Sequence, residues 1–146
     1  MREADLLALH ARFPARYPVL LESVGGEEPL GRHDVLFALP AEQLSRLPDG
    51  SLAGDVRERA GGRFLDALDR WVARERGAGD VVPSGAVFAD GWFLYLGYEL
   101  AVEIEPTLRL PASRLPSAVA WRMRGALLRD RRTREVRVVA RDHELL

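Results

Sequence analysis

The chain contains no cysteine. That one absence removes disulfides, thiol nucleophiles and thiolate metal sites together. Lysine is missing as well: all 21 of the strongly basic residues are arginine. A phosphate loop of the G-x-x-x-x-G-K-[ST] type therefore cannot be written, and the bias fits a GC-rich genome better than any site chemistry. Charge of one sign is also lacking. A formal net charge of −1 exerts no long-range pull on nucleic acid or an anionic membrane. No apolar run reaches membrane-spanning length. The N-terminus, Met1-Arg2-Glu3-Ala4-Asp5, is too acidic for a signal or transit peptide. The cytoplasm is the expected location, and neither a membrane nor nucleic acid is an expected partner.

What is present is the composition of a folded chain. Hydrophobic residues make up 47% and charged residues 29% of 146 positions, values typical of one globular domain. A chain of this length buries roughly 68–70% of its unfolded surface. No internal repeat appears. Leu6, Leu9, His10 and Phe13 recur at helical spacing, so residues 4–12 read as a short helix ended before Pro14. Val19–Val24 and Asp34–Leu39 read as strands, joined by the long turn-rich connection G-G-E-E-P-L-G-R-H. Pro48-Asp49-Gly50 marks a small hairpin between Gln43–Leu47 and Ser51–Ala53. Phe64, Leu65, Leu68, Trp71 and Val72 mark one face of a helix over about 60–76, with Gly77 as its cap. Residues 77–86 read as a loop.

From Phe88 to Pro106 the chain runs F-A-D-G-W-F-L-Y-L-G-Y-E-L-A-V-E-I-E-P. Trp92–Leu96 is an aromatic and aliphatic run that expects a strand covered on both faces. Beyond Gly97 the period becomes helical through Leu100, Glu103 and Ile104, until Pro106. A last hairpin follows, with Val119, Trp121, Met123, Gly125 and Leu127 on one face, a turn at Asp130–Thr133 and a return over Glu135–Ala140. Antiparallel pairs with helices between them indicate an α+β fold.

Chemistry is sparse on these elements. His10, His33 and His143 show no H-x-x-x-H or H-E-x-x-H spacing, so no metal is expected. Ser23, His33 and Asp34 supply the residue types of a nucleophilic triad. However, no G-x-S-x-G elbow surrounds Ser23, and the adjacent His33 and Asp34 point oppositely on a strand. Arg122, Arg124, Arg129, Arg131, Arg132, Arg134 and Arg137 form a basic ribbon on the last hairpin. Near-zero net charge favours a solvated or interface face for Arg122, Arg124 and Arg137 over a phosphate-binding one.

V-L-L-E-S-V (19–24), G-R-H-D-V-L-F-A (31–38), the 88–106 stretch and the 119–140 hairpin follow one another in the order and spacing of one family. From about Tyr17 onward the chain resembles the N-terminal domain of the chorismate-utilising enzymes. These are component I of aminodeoxychorismate synthase (the para-aminobenzoate synthase large subunit) and component I of anthranilate synthase. Leu-Leu-Glu-Ser and Gly-Tyr-Glu-Leu are the specific parts. Anthranilate synthases usually carry a serine two positions after the arginine, whereas this chain has Gly31-Arg32-His33-Asp34, which looks more like the aminodeoxychorismate branch. Two positions depart from the family's pattern: Asp90 replaces one of two glycines before the apolar strand, and Leu94 takes an inner glycine position.

The resemblance implies antiparallel β-sheets packed as a sandwich with flanking helices, all of 1–146 being one such domain. It implies no catalytic residue and no cofactor in this chain, since chorismate and magnesium belong to the family's C-terminal catalytic domain. That domain and a glutamine amidotransferase subunit are the implied partners, with self-association where apolar edges stay uncovered. The tryptophan contacts of the family fall, position by position, on Ser23, Leu30, Gly31, Arg32 and His33. Chemically, Arg32 and Ser23 suit a carboxylate and Glu22 an ammonium. Equally, Glu22 and Arg32 could pair across strands while Ser23 satisfies a backbone group. Tyr98 and Glu99 are expected in the core and its seam, and the acidic residues Glu99, Glu103 and Glu105 are not read as catalytic. A free-standing ligand-binding or docking module is the alternative from another class.

Overall fold

A computed structural model describes residues 5–25, 31–56, 62–76, 91–111 and 113–140. Leu30, Gly77, the loop expected over 77–86, Phe88–Asp90 and His143 lie outside them. The elements run α1 (Leu6–Arg12), β1 (Val19–Leu21), β2 (His33–Arg46), β3 (Leu52–Gly54), α2 (Phe64–Arg76), β4 (Gly91–Leu96), a 3₁₀ helix (Tyr98–Glu103), β5 (Ala118–Asp130) and β6 (Val136–Ala140). The class is α+β, as expected. The described strands belong to one six-stranded sheet of order β1-β2-β5-β4, with β3 on β2 and β6 on β5.

The chain divides into two compact units, residues 1–41, 83–91 and 123–146 in the first and 42–82 and 92–122 in the second. In the first unit α1 begins at Asp5, whose carboxylate accepts the Ala8 N–H at 3.0 Å as an N-cap. Leu6 is buried, and His10 Nδ1 sits 2.7 Å from the Tyr17 carbonyl oxygen. β1 pairs antiparallel with β2 in the register Val19↔Phe37, Leu20↔Leu36 and Leu21↔Val35. β5 pairs antiparallel with β6 from Gly125↔Ala140 to Arg129↔Val136.

β2 runs on through Pro40 to Arg46, well past the expected end at Leu39. Pro40 sits between the stretch paired with β1 (35–37) and the stretch paired with β3 (44–46), so neither of those two ladders needs its missing N–H. The chain bends there instead: Leu39 has φ 57° and gives its N–H to the Arg16 carbonyl at 2.9 Å.

The second unit holds a core of Leu44, Val56, Phe64, Ala67, Trp71, Leu100, Ala118 and Ala120. The Pro48–Gly50 hairpin forms as expected, with Arg46↔Leu52 and Leu44↔Gly54. α2 turns Phe64, Ala67 and Trp71 inward, and Trp71 meets Trp92 edge-on at 5.8 Å.

Three expectations fail here. β4 is not covered on both faces, for Leu94, Tyr95 and Leu96 are all exposed. The following element is a 3₁₀ helix, whose three-residue period stacks Leu100 over Glu103. That tighter turn leaves Tyr98 77% and Ile104 76% exposed, so Tyr98 is not in the core. Arg122 is not on a solvated face. It shares the buried side of β5 with Ala118 and Ala120, its guanidinium 4.5 Å from the Trp92 ring centroid and 3.6 Å from Glu75. A ring face and a carboxylate together replace the water that a buried cation loses.

Candidate functional site

The β1–β2 register, continued by two residues, sets Glu22 opposite Asp34 and Ser23 opposite His33. The hydrogen bonds agree with that placement. Ser23 N–H donates to Asp34 Oδ1 at 2.9 Å, and Ser23 Oγ donates to the His33 carbonyl at 3.0 Å. The hydroxyl therefore serves a backbone oxygen and not the imidazole, and Ser23, His33 and Asp34 form no nucleophilic triad.

Asp34 is the buried centre of the cluster. Its Oδ2 receives Arg129 Nε at 2.9 Å and Arg129 Nη2 at 2.7 Å, and the same Nη2 lies 3.2 Å from Glu22 Oε1. A buried carboxylate needs such charge-assisted partners to offset its lost hydration. The pair expected between Glu22 and Arg32 does not form. Glu22 turns to Arg129, while Arg32 Nε and Nη2 reach Asp130 Oδ2 at 2.9 and 2.8 Å.

Asp130 also accepts the N–H groups of Arg132 at 2.9 Å and Thr133 at 3.2 Å, organising the β5–β6 turn. The Arg32 hydrogen bond above all, together with these backbone donors, lowers its pKa from 3.8 to about 2. Arg131 completes the attachment, its N–H going to the Arg32 carbonyl at 2.9 Å and its Nη1 to the Gly31 carbonyl at 3.2 Å.

Ser23, Gly31, Arg32 and His33 thus come together at one end of the first unit, and Leu30 lies outside the described residues. Their polar atoms are largely engaged by protein. A ligand carboxylate would have to share Arg32 with Asp130, although the Arg32 side chain is 40% exposed. Asp34, Arg129 and Asp130 were not among the residues expected to build the site. Nothing local marks Arg129 or Asp130, because their partners are 95 and 98 residues away. Asp34 could have been suspected from a carboxylate at a strand start opposite an arginine-rich hairpin.

No protein-family model matches the chain, and no curated protein matches it either. Among the described residues no group of three or more histidine, aspartate and glutamate side chains could hold a metal ion. No described helix is long and apolar enough to cross a membrane.

Proposed function

We propose that the chain is the N-terminal, non-catalytic domain of component I of an aminodeoxychorismate synthase, which aminates chorismate towards para-aminobenzoate for folate synthesis. The observation that carries this reading is the junction at Ser23. It ties Leu-Leu-Glu-Ser to Gly-Arg-His-Asp through His33 and Asp34, so the two most family-like segments of the first unit form one constellation. Asp34, the residue that favours the aminodeoxychorismate branch, has a structural task there: one oxygen accepts the Ser23 N–H and the other the Arg129 guanidinium, whose charge a neutral serine hydroxyl would not match.

In this reading the six-stranded sheet is one layer of a sandwich with flanking helices. Chorismate and magnesium bind a separate catalytic domain, and a glutamine amidotransferase subunit supplies ammonia. Ser23, Gly31, Arg32 and His33 then line an incomplete tryptophan-like pocket, to which the resemblance adds Leu30. Calorimetry with L-tryptophan is expected to show little or no binding to the 146-residue chain; a tight complex lost in Ser23→Ala would show the pocket to be complete.

The complete reading frame, supplied with the amidotransferase subunit, should restore growth of a para-aminobenzoate auxotroph and not of a tryptophan auxotroph. Rescue of the tryptophan auxotroph would move the protein to the anthranilate branch. Rescue of neither would favour a free-standing ligand-binding or docking module.

A further inference from the structure

The first unit contains a second concavity, built from other residues. It has a volume of about 140 Å³ and is lined by the buried Ala38 and Ala126, by Leu39, Leu127 and Val138, and by the exposed Arg16. We propose that it binds a small apolar monocarboxylate, the hydrocarbon part against the alanines and the carboxylate on Arg16. This inference stands on the geometry of the concavity and is independent of the function proposed above.

Size, chemistry and strain point the same way. An apolar cavity of about 150 Å³ accepts a benzene ring, so the space matches one ring or a short branched chain. The lining is aliphatic apart from Arg16 and Tyr17. Such a site takes an apolar body and fixes it with a few polar groups. Arg16 is exposed, its guanidinium 5.8 Å from the Tyr17 ring centroid, and among the described residues it makes no ion pair. It can therefore receive a carboxylate without giving up a partner, which Arg32 cannot. Most arginines of known placement in this unit are already engaged, Arg32 with Asp130 and Arg129 with Asp34.

Leu39, which lines the concavity, has φ 57°. A bulky residue in that region is strained and persists only when its surroundings enforce it. The Leu39 N–H to Arg16 carbonyl bond of 2.9 Å is the visible restraint. It ties the main chain of Leu39 to that of Arg16, so the two residues that line the concavity from different segments are joined through their backbones.

The test is an NMR titration of the 146-residue chain with benzoate, with benzylamine as a probe of the same shape and opposite charge. Benzoate is expected to bind saturably with a Kd on the order of 1 mM, the range for so few atoms. Amide shifts should concentrate at Ala38, Leu39, Ala126 and Leu127, and benzylamine should give none. Arg16→Gln, at an exposed position, should weaken benzoate about fivefold while leaving the remaining spectrum unchanged. Equal binding of benzylamine, shifts centred elsewhere, unchanged affinity in Arg16→Gln, or no saturation by 20-fold above that Kd would each overturn the proposal.

Discussion

Gly54 and Asp130 show how a single residue's chemistry becomes a structural requirement. Gly54 ends β3 opposite Leu44 at φ +121°, and a Cβ there would lie 2.0 Å from the Gln43 carbonyl oxygen. Backbone cannot retreat as a flexible side chain can, so Gly54→Ala is expected to cost about 3 kcal/mol or more, read as a fall in the urea midpoint without a change in slope. Asp130 makes a prediction in pH. Its folded pKa is lowered from 3.8 to about 2, chiefly by Arg32. Between those values the unfolded chain binds the extra proton, so stability rises with pH across the window. The contribution is present above about pH 4 and lost as pH falls through about 2. Thermal melts from pH 5 to pH 2 should therefore show a shallower decline for Asp130→Asn than for the parent. Some slope should remain, since Asp49 and Glu105 are also lowered, by Ser51 and Thr107 respectively.

At the scale of elements, the start of α2 is the instructive case. An α-helix leaves its first N–H groups without intrahelical partners, and those of Phe64 and Leu65 are taken by Glu103 Oε1 and Oε2 at 2.9 and 3.0 Å. The same carboxylate accepts Arg46 Nε at 2.9 Å, and Arg46 Nη1 reaches Ser117 Oγ at 2.9 Å. Arg63 donates to the Glu103 carbonyl. Glu103 thus joins the 3₁₀ helix, α2, β2 and the start of β5 within the second unit, its charge also opposing the positive end of the helix. Glu103→Ala strands Arg46 and two N–H groups and should cost about 3 kcal/mol by urea denaturation. Glu103→Gln, which keeps one acceptor oxygen, should cost less; equal losses would mean that the charge, not the acceptor, matters. The sequence made Glu103 visible as part of an acidic run to be read as non-catalytic. It did not reveal the task, because the spacing predicts an α-helical period where the chain forms a 3₁₀ turn. α1 and α2 were legible because their apolar period is local. The β2 continuation was not, since whether Pro40 breaks a strand depends on where its neighbours pair.

At the scale of the whole chain, the described residues of the second unit carry a run of uncovered apolar surface. Leu94, Tyr95, Leu96 and Tyr98 are exposed in near succession, with Ile104, Leu108 and Leu115 exposed further on. β4 also stands at the end of the strand order among the described residues. Aromatic and aliphatic exposure on a terminal strand favours association. Sedimentation velocity of the 146-residue chain should show mass rising with concentration, and Leu96→Asp should return it towards monomer. A clean monomer at every concentration would show that this surface is tolerated in water. Sequence alone determined what depends on neighbours a few positions apart. It fixed the α+β class, α1, α2, the Pro48–Gly50 and β5–β6 turns and the absence of thiol chemistry. Tertiary structure decided which charges meet. Arg129 chose Asp34, Arg32 chose Asp130, Glu103 chose the end of α2 and Arg122 went inward, because an ion pair is set by three-dimensional distance and desolvation, and neither has a period along the chain.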